Sequence, residues 1–206
     1  MRQGVKFHDG TLMDAAAVKA SLERAITKSP AAKTLLDIAQ IEVNGPYTLT
    51  IATNKPSPIL PALLTETRTA IVNAAAAETM GDAFAEKAVL TGPFRVEKFQ
   101  RDKELVAVRH KEYWGPRPLV DRVVFNILPD GNSRVLALQS GDIDIALNIA
   151  PESATTVKSA SDLKVVSAAP PTLNFMYLNH RREAWKDVRV RQAIALAINR
   201  EALVNA

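Results

Sequence analysis

Cysteine is absent from the 206 residues, which excludes disulfides and thiolate metal ligands. That absence leaves the compartment open, because exported proteins can also do without cysteine. No stretch approaches the roughly 20 uninterrupted apolar residues that a membrane-spanning helix needs. The sequence contains no Gly-x-Ser-x-Gly, no Walker-type Gly-Lys-Ser/Thr, no His-Glu-x-x-His and no closely spaced histidines. The common starting points for nucleophilic, phosphate-handling and zinc-hydrolase chemistry are therefore missing. The opening Met1-Arg2-Gln3-Gly4-Val5-Lys6 also lacks the apolar core and small-residue cleavage site of an export signal.

What is present is a globular composition, with 47% apolar residues and a net charge of +4. The basic excess is local. Residues 171–206 carry Arg181, Arg182, Lys186, Arg189, Arg191 and Arg200 against Glu183, Asp187 and Glu201. A nucleic-acid surface would interleave a basic stripe with aromatics. Here the basic residues flank an amphipathic helix with only Trp185 among them, so they read as a solvated helix face and no nucleic-acid partner is expected.

The hydropathy pattern mixes both periods. Residues 5–7 read as a short strand before the turn signal Asp9-Gly10. Asp14 is placed to cap a helix with the apolar stripe Val18, Leu22, Ala25 and Ile26, ended by Ser29-Pro30. A second helix is expected over 33–39. The turn Asn44-Gly45-Pro46 then separates two strands, the second with Tyr47, Leu49 and Ile51 alternating against threonines. Residues 59–64 read as a helical turn, 68–72 as a return strand and 74–86 as one helix. After Thr91-Gly92-Pro93 a hairpin is expected over 94–99 and 104–109, its tip at Arg101-Asp102-Lys103, with a further strand over 120–128. Asn132 or Ser133 is expected to cap the next helix, and Gly141 to stop it. Strands are expected over 143–149, 163–167 and 173–178, with a helix over 152–159 between the first two. The last helix starts at Asp187 and gathers Val190, Ala193, Ile194, Ala197 and Ile198 on one face. Strand–helix–strand alternation over 120–167 predicts an α/β sheet with crossover connections.

Four stretches, in this order and spacing, resemble the solute-binding proteins that serve peptide and nickel ABC importers (family 5). They are Gly4-Val5-Lys6-Phe7-His8-Asp9-Gly10-Thr11 before the Asp14 helix, and Thr91-Gly92-Pro93-Phe94 leading to Tyr113-Trp114-Gly115. Gly141-Asp142-Ile143-Asp144 follows, then Asp187-Val188-Arg189-Val190-Arg191-Gln192-Ala193. The resemblance spans nearly the whole chain. It implies an α/β, partial two-lobed periplasmic-binding-protein type II fold, with most of the second lobe lying beyond this sequence. Residues 1–88 would form the inserted subdomain of the first lobe and 89–170 its central α/β part. Residues 171–206 would form the hinge crossing. An export signal or lipid anchor would precede residue 1.

The same resemblance implies a small-molecule or peptide ligand, a nickel chelate being one candidate, and an ABC importer permease as partner. It also implies a monomer outside the cytoplasm that needs no cofactor. Residues 127–130 and 63–72 look closer to the nickel branch, where an arginine at the position of Arg68 faces a carboxylate of the bound chelate. A planar guanidinium can hold a carboxylate bidentately, and a cleft strengthens that bond by excluding water. Those relatives carry an arginine and a tryptophan where this chain reads Pro30-Ala31-Ala32-Lys33, so peptide or another small solute stays open. Phe175 and Tyr177 lie on the expected strand toward the hinge and are the other ligand-contact candidates.

The remaining chemistry-bearing residues read as structural. His8, His110 and His180 lie far apart and lack a second ligand at metal-site spacing. Asp142 and Asp144 share one face of an expected strand and suit capping or ion pairs. Arg189 and Arg191 are expected to tie the last helix to carboxylates, and Tyr113 and Trp114 to pack on the sheet. No catalytic or metal-binding residue is expected.

Overall fold

The computed structural model describes residues 1–167 and 175–205. These form two compact units, Met1–Ala150 and Pro151–Ala206.

In the first unit α1 (Ala15–Lys28) begins where the Asp14 carboxylate accepts a hydrogen bond from Ala17 N–H at 2.8 Å. Ser29 serves two helices. Its N–H donates to Ala25 O and closes α1, while its Oγ accepts from Ala32 N–H and opens α2 (Pro30–Leu36). The helix expected over 33–39 thus starts three residues earlier. Proline at the first helical position has its φ already set and no N–H to leave unpaired. Asp37, at φ +45°, ends α2, and the chain turns into β1 (Ile38–Gly45), which pairs antiparallel with β2 (Thr48–Thr53). Ile41 stands opposite Ile51, and Val43 opposite Leu49.

Between α1, α2 and this hairpin lies the main core. Val18, Leu22, Leu36 and Ile41 are buried, bordered by Leu49, Ile51, Leu63 and Ile71. Full burial of each large aliphatic side chain contributes about 1.5–3 kcal/mol before entropy is counted. The helical turn expected near residue 60 is present as α3 (Leu60–Leu63). The return strand expected over 68–72 is absent; Thr67–Thr69 form a 3-10 turn instead. Asn73 caps α4 (Ala74–Met80) by accepting from Ala76 N–H. Gly81, at φ +55°, breaks the helix expected to run to 86, and a 3-10 turn, Gly81–Ala85, follows.

The second sheet of this unit is antiparallel in the order β3 (Phe94–Gln100), β4 (Glu104–Arg109), β5 (Arg122–Asn126). Val106 and Ala107 on the central strand are buried. The expected 101–103 tip holds, with Asp102 at φ +58°. The cap of α5 (Gly131–Ser140) is Asp130, upstream of both residues expected. Its carboxylate accepts from Ser133 N–H at 2.7 Å and from the Ser133 hydroxyl at 2.8 Å.

No strand follows over 143–149. The amides of Asp142 and Ile143 turn back onto Ala137 O, and Asn148 sits at φ +54°, outside β geometry. Arg134 bonds the carbonyls of Leu128 and Asn148 and holds the segment along α5. The alternating Ile145 and Leu147 therefore stay exposed. Both sheets among the described residues are antiparallel, so the expected crossover connections are not formed there.

The second unit contains α6 (Pro151–Lys158), a 3-10 turn at Glu183–Trp185, α7 (Val188–Ala197) and α8 (Arg200–Asn205). Asp187 caps α7 as expected, accepting from Arg189 N–H at 2.8 Å. Ile198 adopts extended geometry and leaves the helix face assigned to it. Residues 163–167 form no strand, because no ladder partner stands beside them among the described residues. Of the strand expected over 173–178, residues 173 and 174 lie outside the described residues, and 175–178 are not in a ladder. Among the described residues no helix is long and apolar enough to cross a membrane.

Candidate functional site

Arg68 occupies the 3-10 turn at Thr67–Thr69. The turn is anchored by buried Thr69, whose hydroxyl donates to Glu66 O at 2.8 Å and approaches Leu63 O at 3.3 Å. That anchoring turns the Arg68 side chain outward, more than half exposed. Glu66 is its carboxylate neighbour at 3.9 Å, beyond hydrogen-bond distance. Such an exposed pair is weak and leaves the guanidinium donors open to a competing anion.

Beside Arg68 runs the first part of α2. Pro30, Ala31, Thr34 and Leu35 line an open hollow of about 550 Å³ together with Arg68. The Thr34 hydroxyl is engaged with Pro30 O at 3.0 Å. Arg68 is thus the one charged lining group of a small apolar recess, among the described residues. Such a recess suits a solute with a carboxylate at one end and a compact apolar body.

Sequence reasoning picked out Arg68 and compared Pro30-Ala31-Ala32-Lys33 with the relatives, but it did not point to Thr34 and Leu35. The helical register that brings 30, 31, 34 and 35 to one side could have suggested them, had α2 been read from its proline. A second hollow of about 480 Å³ is lined by core residues, including Leu22, Leu49, Ile51 and Ile71. Among the described residues its only charged lining side chain is Arg2.

Phe175 and Tyr177 lie in the second unit. Their rings meet edge to face with centroids 4.6 Å apart, and both are largely exposed. The two rings are exposed together as one aromatic pair.

His8 and His110 come together although they are remote in sequence. Their rings meet edge to face at 5.1 Å. Leu90 N–H donates to His8 Nδ1 at 3.3 Å, so that nitrogen carries no proton. His8 Nε2–H therefore donates to Gly92 O at 3.1 Å. Burial pushes the His8 pKa below its ordinary 6.5, the Gly92 bond opposes the shift, and His110 adds to it. Both His8 nitrogens are engaged, and no cluster of three or more metal-ligating side chains exists among the described residues.

Asp142, Arg189, Arg191 and Trp114, also singled out in the sequence, have structural partners. Ser140 Oγ donates to Asp142 Oδ2 at 2.7 Å. Arg189 forks onto the Asp187 carboxylate at 2.7 and 3.1 Å and holds that carboxyl below its ordinary range. Arg191 instead donates to the carbonyls of Trp185 and Lys186, so its expected carboxylate tie is replaced by a backbone one. Trp114 Nε1 donates to Thr91 O at 3.0 Å, and the Arg2 guanidinium lies 4.5 Å from its ring centroid.

Comparison with known proteins places this geometry in context. The family model of bacterial extracellular solute-binding proteins, family 5 Middle, matches residues 1–206. The glutathione-binding protein GsiB of Salmonella paratyphi A is 31% identical over 208 aligned residues, covering 99% of this chain and 41% of that relative. A nickel ABC transporter structure from Bacillus halodurans aligns with a TM-score of 0.78 at 35% identity, over 99% of this chain and 42% of the other. The periplasmic binding protein DppA of Helicobacter pylori, solved with the peptide STSA, aligns with a TM-score of 0.89 at 26% identity, over 99% and 45%. The chain spans about 41% of the length of the curated relatives it matches.

Proposed function

The chain belongs to the bacterial extracellular solute-binding proteins of family 5, and we propose that it acts as part of the substrate-binding component of an ABC importer. Its mixed α/β fold is part of the type II periplasmic-binding-protein fold. The observation that carries the reading is the match of the family model to residues 1–206.

In this reading the whole protein takes up a peptide, nickel chelate or related small solute between two lobes, outside the cytoplasm. Ligand shifts the equilibrium from open to closed, and the closed form is what the membrane permease receives. Nothing is done chemically to the ligand, and the protein works as a monomer without a cofactor. Residues 1–88 serve as the inserted subdomain, 89–170 as the central α/β part of the first lobe and 171–206 as the hinge crossing.

Within this scheme Arg68 holds a ligand carboxylate, and the recess of Pro30, Ala31, Thr34 and Leu35 takes the adjoining apolar group. Support comes from the open donors of Arg68 and from the apolar lining beside them. Phe175 and Tyr177 are proposed as aromatic ligand contacts, on the ground of their exposed, mutually packed rings. Two of the ligands named for relatives, glutathione and a peptide, carry carboxylates.

Native mass spectrometry of the full-length protein, purified gently from the cell envelope, tests the reading. A retained chelate, peptide or other carboxylate solute supports it. Turnover of a hydrolase substrate by the purified protein would overturn it. Retained binding with unchanged uptake after deletion of the importer would favour a periplasmic sensor or chaperone on the same scaffold.

A further inference from the structure

We infer that His8 is an acid-released latch that fastens the segment 5–12 to the connector 88–93, the stretch joining the hairpin layer to the three-stranded sheet.

The latch has three bonds at one residue. His8 N–H donates to Leu90 O at 2.8 Å, Leu90 N–H donates to His8 Nδ1 at 3.3 Å, and His8 Nε2–H donates to Gly92 O at 3.1 Å. The middle bond exists only for the neutral ring. A proton on Nδ1 would set two N–H groups against each other, and the Leu90 amide would lose its partner. The other fastenings of the connector do not titrate near neutrality. Asn73 N–H donates to Val89 O, Trp114 Nε1–H to Thr91 O and His110 N–H to Pro93 O. His8 is the link that acid can cut.

The groups around the ring make protonation in place costly. His110 approaches edge to face and is itself buried, its Nε2 without a hydrogen-bond partner among the described residues. Arg95 of β3 adds a positive charge nearby. Among the described residues no carboxylate acts on the ring; Asp9 and Glu112, the acids nearest in sequence to the two histidines, are engaged elsewhere. Glu112 pairs with Lys6, while Asp9 accepts from Thr11 and from Asn73. An imidazolium at His8 would meet two basic neighbours; the Gly92 and Ala88 backbone favours the charged ring but does not outweigh its burial, so the proton is taken up by opening the latch.

The sign of the pH effect follows. His8 is harder to protonate closed than open, so opening is coupled to proton uptake below the ordinary 6.5. Between the open and closed pKa values the opening equilibrium should rise by up to about tenfold per pH unit. Hydrogen exchange across 88–93 in the full-length protein reads this directly, measured at pH 7.5 and 5.5 and normalised to unfolded-peptide rates. Excess exchange at pH 5.5 is expected in the natural protein and should vanish in His8→Asn, whose side-chain oxygen can still accept from Leu90 but cannot titrate. Equal normalised exchange at both pH values, or the same acid response in His8→Asn, would overturn the latch. Should that variant fail to fold, the ring ¹⁵N shifts of His8 at pH 7.5 decide. A bare Nδ1 with a protonated Nε2 upholds the latch, and a proton on Nδ1 ends it.

Discussion

Ser21 Oγ, on the buried face of α1, accepts a hydrogen bond from Val72 N–H at 2.9 Å. This bond explains why residues 68–72 do not form the strand that their composition suggests. A strand directs its amides to a neighbouring strand, whereas the Val72 amide is claimed by a helix side chain. Thr69 reinforces the turn by closing onto Glu66 O. The segment thus becomes a short clasp that delivers Ile71 to the core and turns Arg68 to the surface.

Replacing Ser21 by Ala should leave the Val72 amide without its acceptor. A buried unsatisfied donor costs about 1–3 kcal/mol, and thermal or urea unfolding of the full-length protein should register a loss of that size. No change in stability would mean that the bond is not a stabilising link.

Arg68→Ala should weaken binding of a carboxylate-bearing ligand by about ten- to a hundredfold, the range for loss of a charge-assisted hydrogen bond. The melting temperature of the unliganded protein should stay within about one degree, because the side chain is exposed and its ion pair weak. Titration calorimetry with the co-purified solute checks both the size and the selectivity. Arg68→Lys should recover only part of the affinity, since an ammonium cannot form the forked pair.

Leu22→Ala should destabilise the protein by about 2–5 kcal/mol. Leu22 is buried in the cluster with Val18, Leu36 and Ile41, where the helix and the hairpin leave little room to collapse. Denaturant unfolding followed by circular dichroism measures the shift in midpoint.

The Asp130 carboxyl is held below its ordinary 3.8, chiefly by the Ser133 N–H and then by the Ser133 hydroxyl. Its folded pKa is lower than its unfolded one. The cap therefore contributes fully above 3.8 and loses its contribution as pH falls through the folded value. Asp130→Asn keeps an N-cap acceptor and removes the titration. Melting temperatures between pH 5 and pH 2 should fall less steeply for the variant than for the natural protein.

Much of this protein was legible locally. Asp14 and Asp187 lie before helices and cap them. Ser29-Pro30 separates α1 from α2, and the Asn44-Gly45-Pro46 and 101–103 turns lie where the hairpins reverse. These features rest on interactions within a few residues, which a sequence displays directly. The strands read over 143–149 and 163–167 failed for the converse reason. Their alternation shows which faces they could present, but a strand also requires a partner ladder, and none stands beside them among the described residues.

The candidate site divides along the same line. The sequence by itself determined the composition, the local caps and turns, and the ordered motifs from Gly4-Val5-Lys6-Phe7 to Asp187-Val188-Arg189 that carry the family likeness. Only the tertiary structure decided that Arg68 faces the first part of α2 across a small recess, and that His8 meets His110 and closes on Leu90 and Gly92. Helical and turn signals are short-range and survive in a linear text. Contacts between residues distant along the chain depend on how whole elements pack, and packing is a property of the folded chain alone.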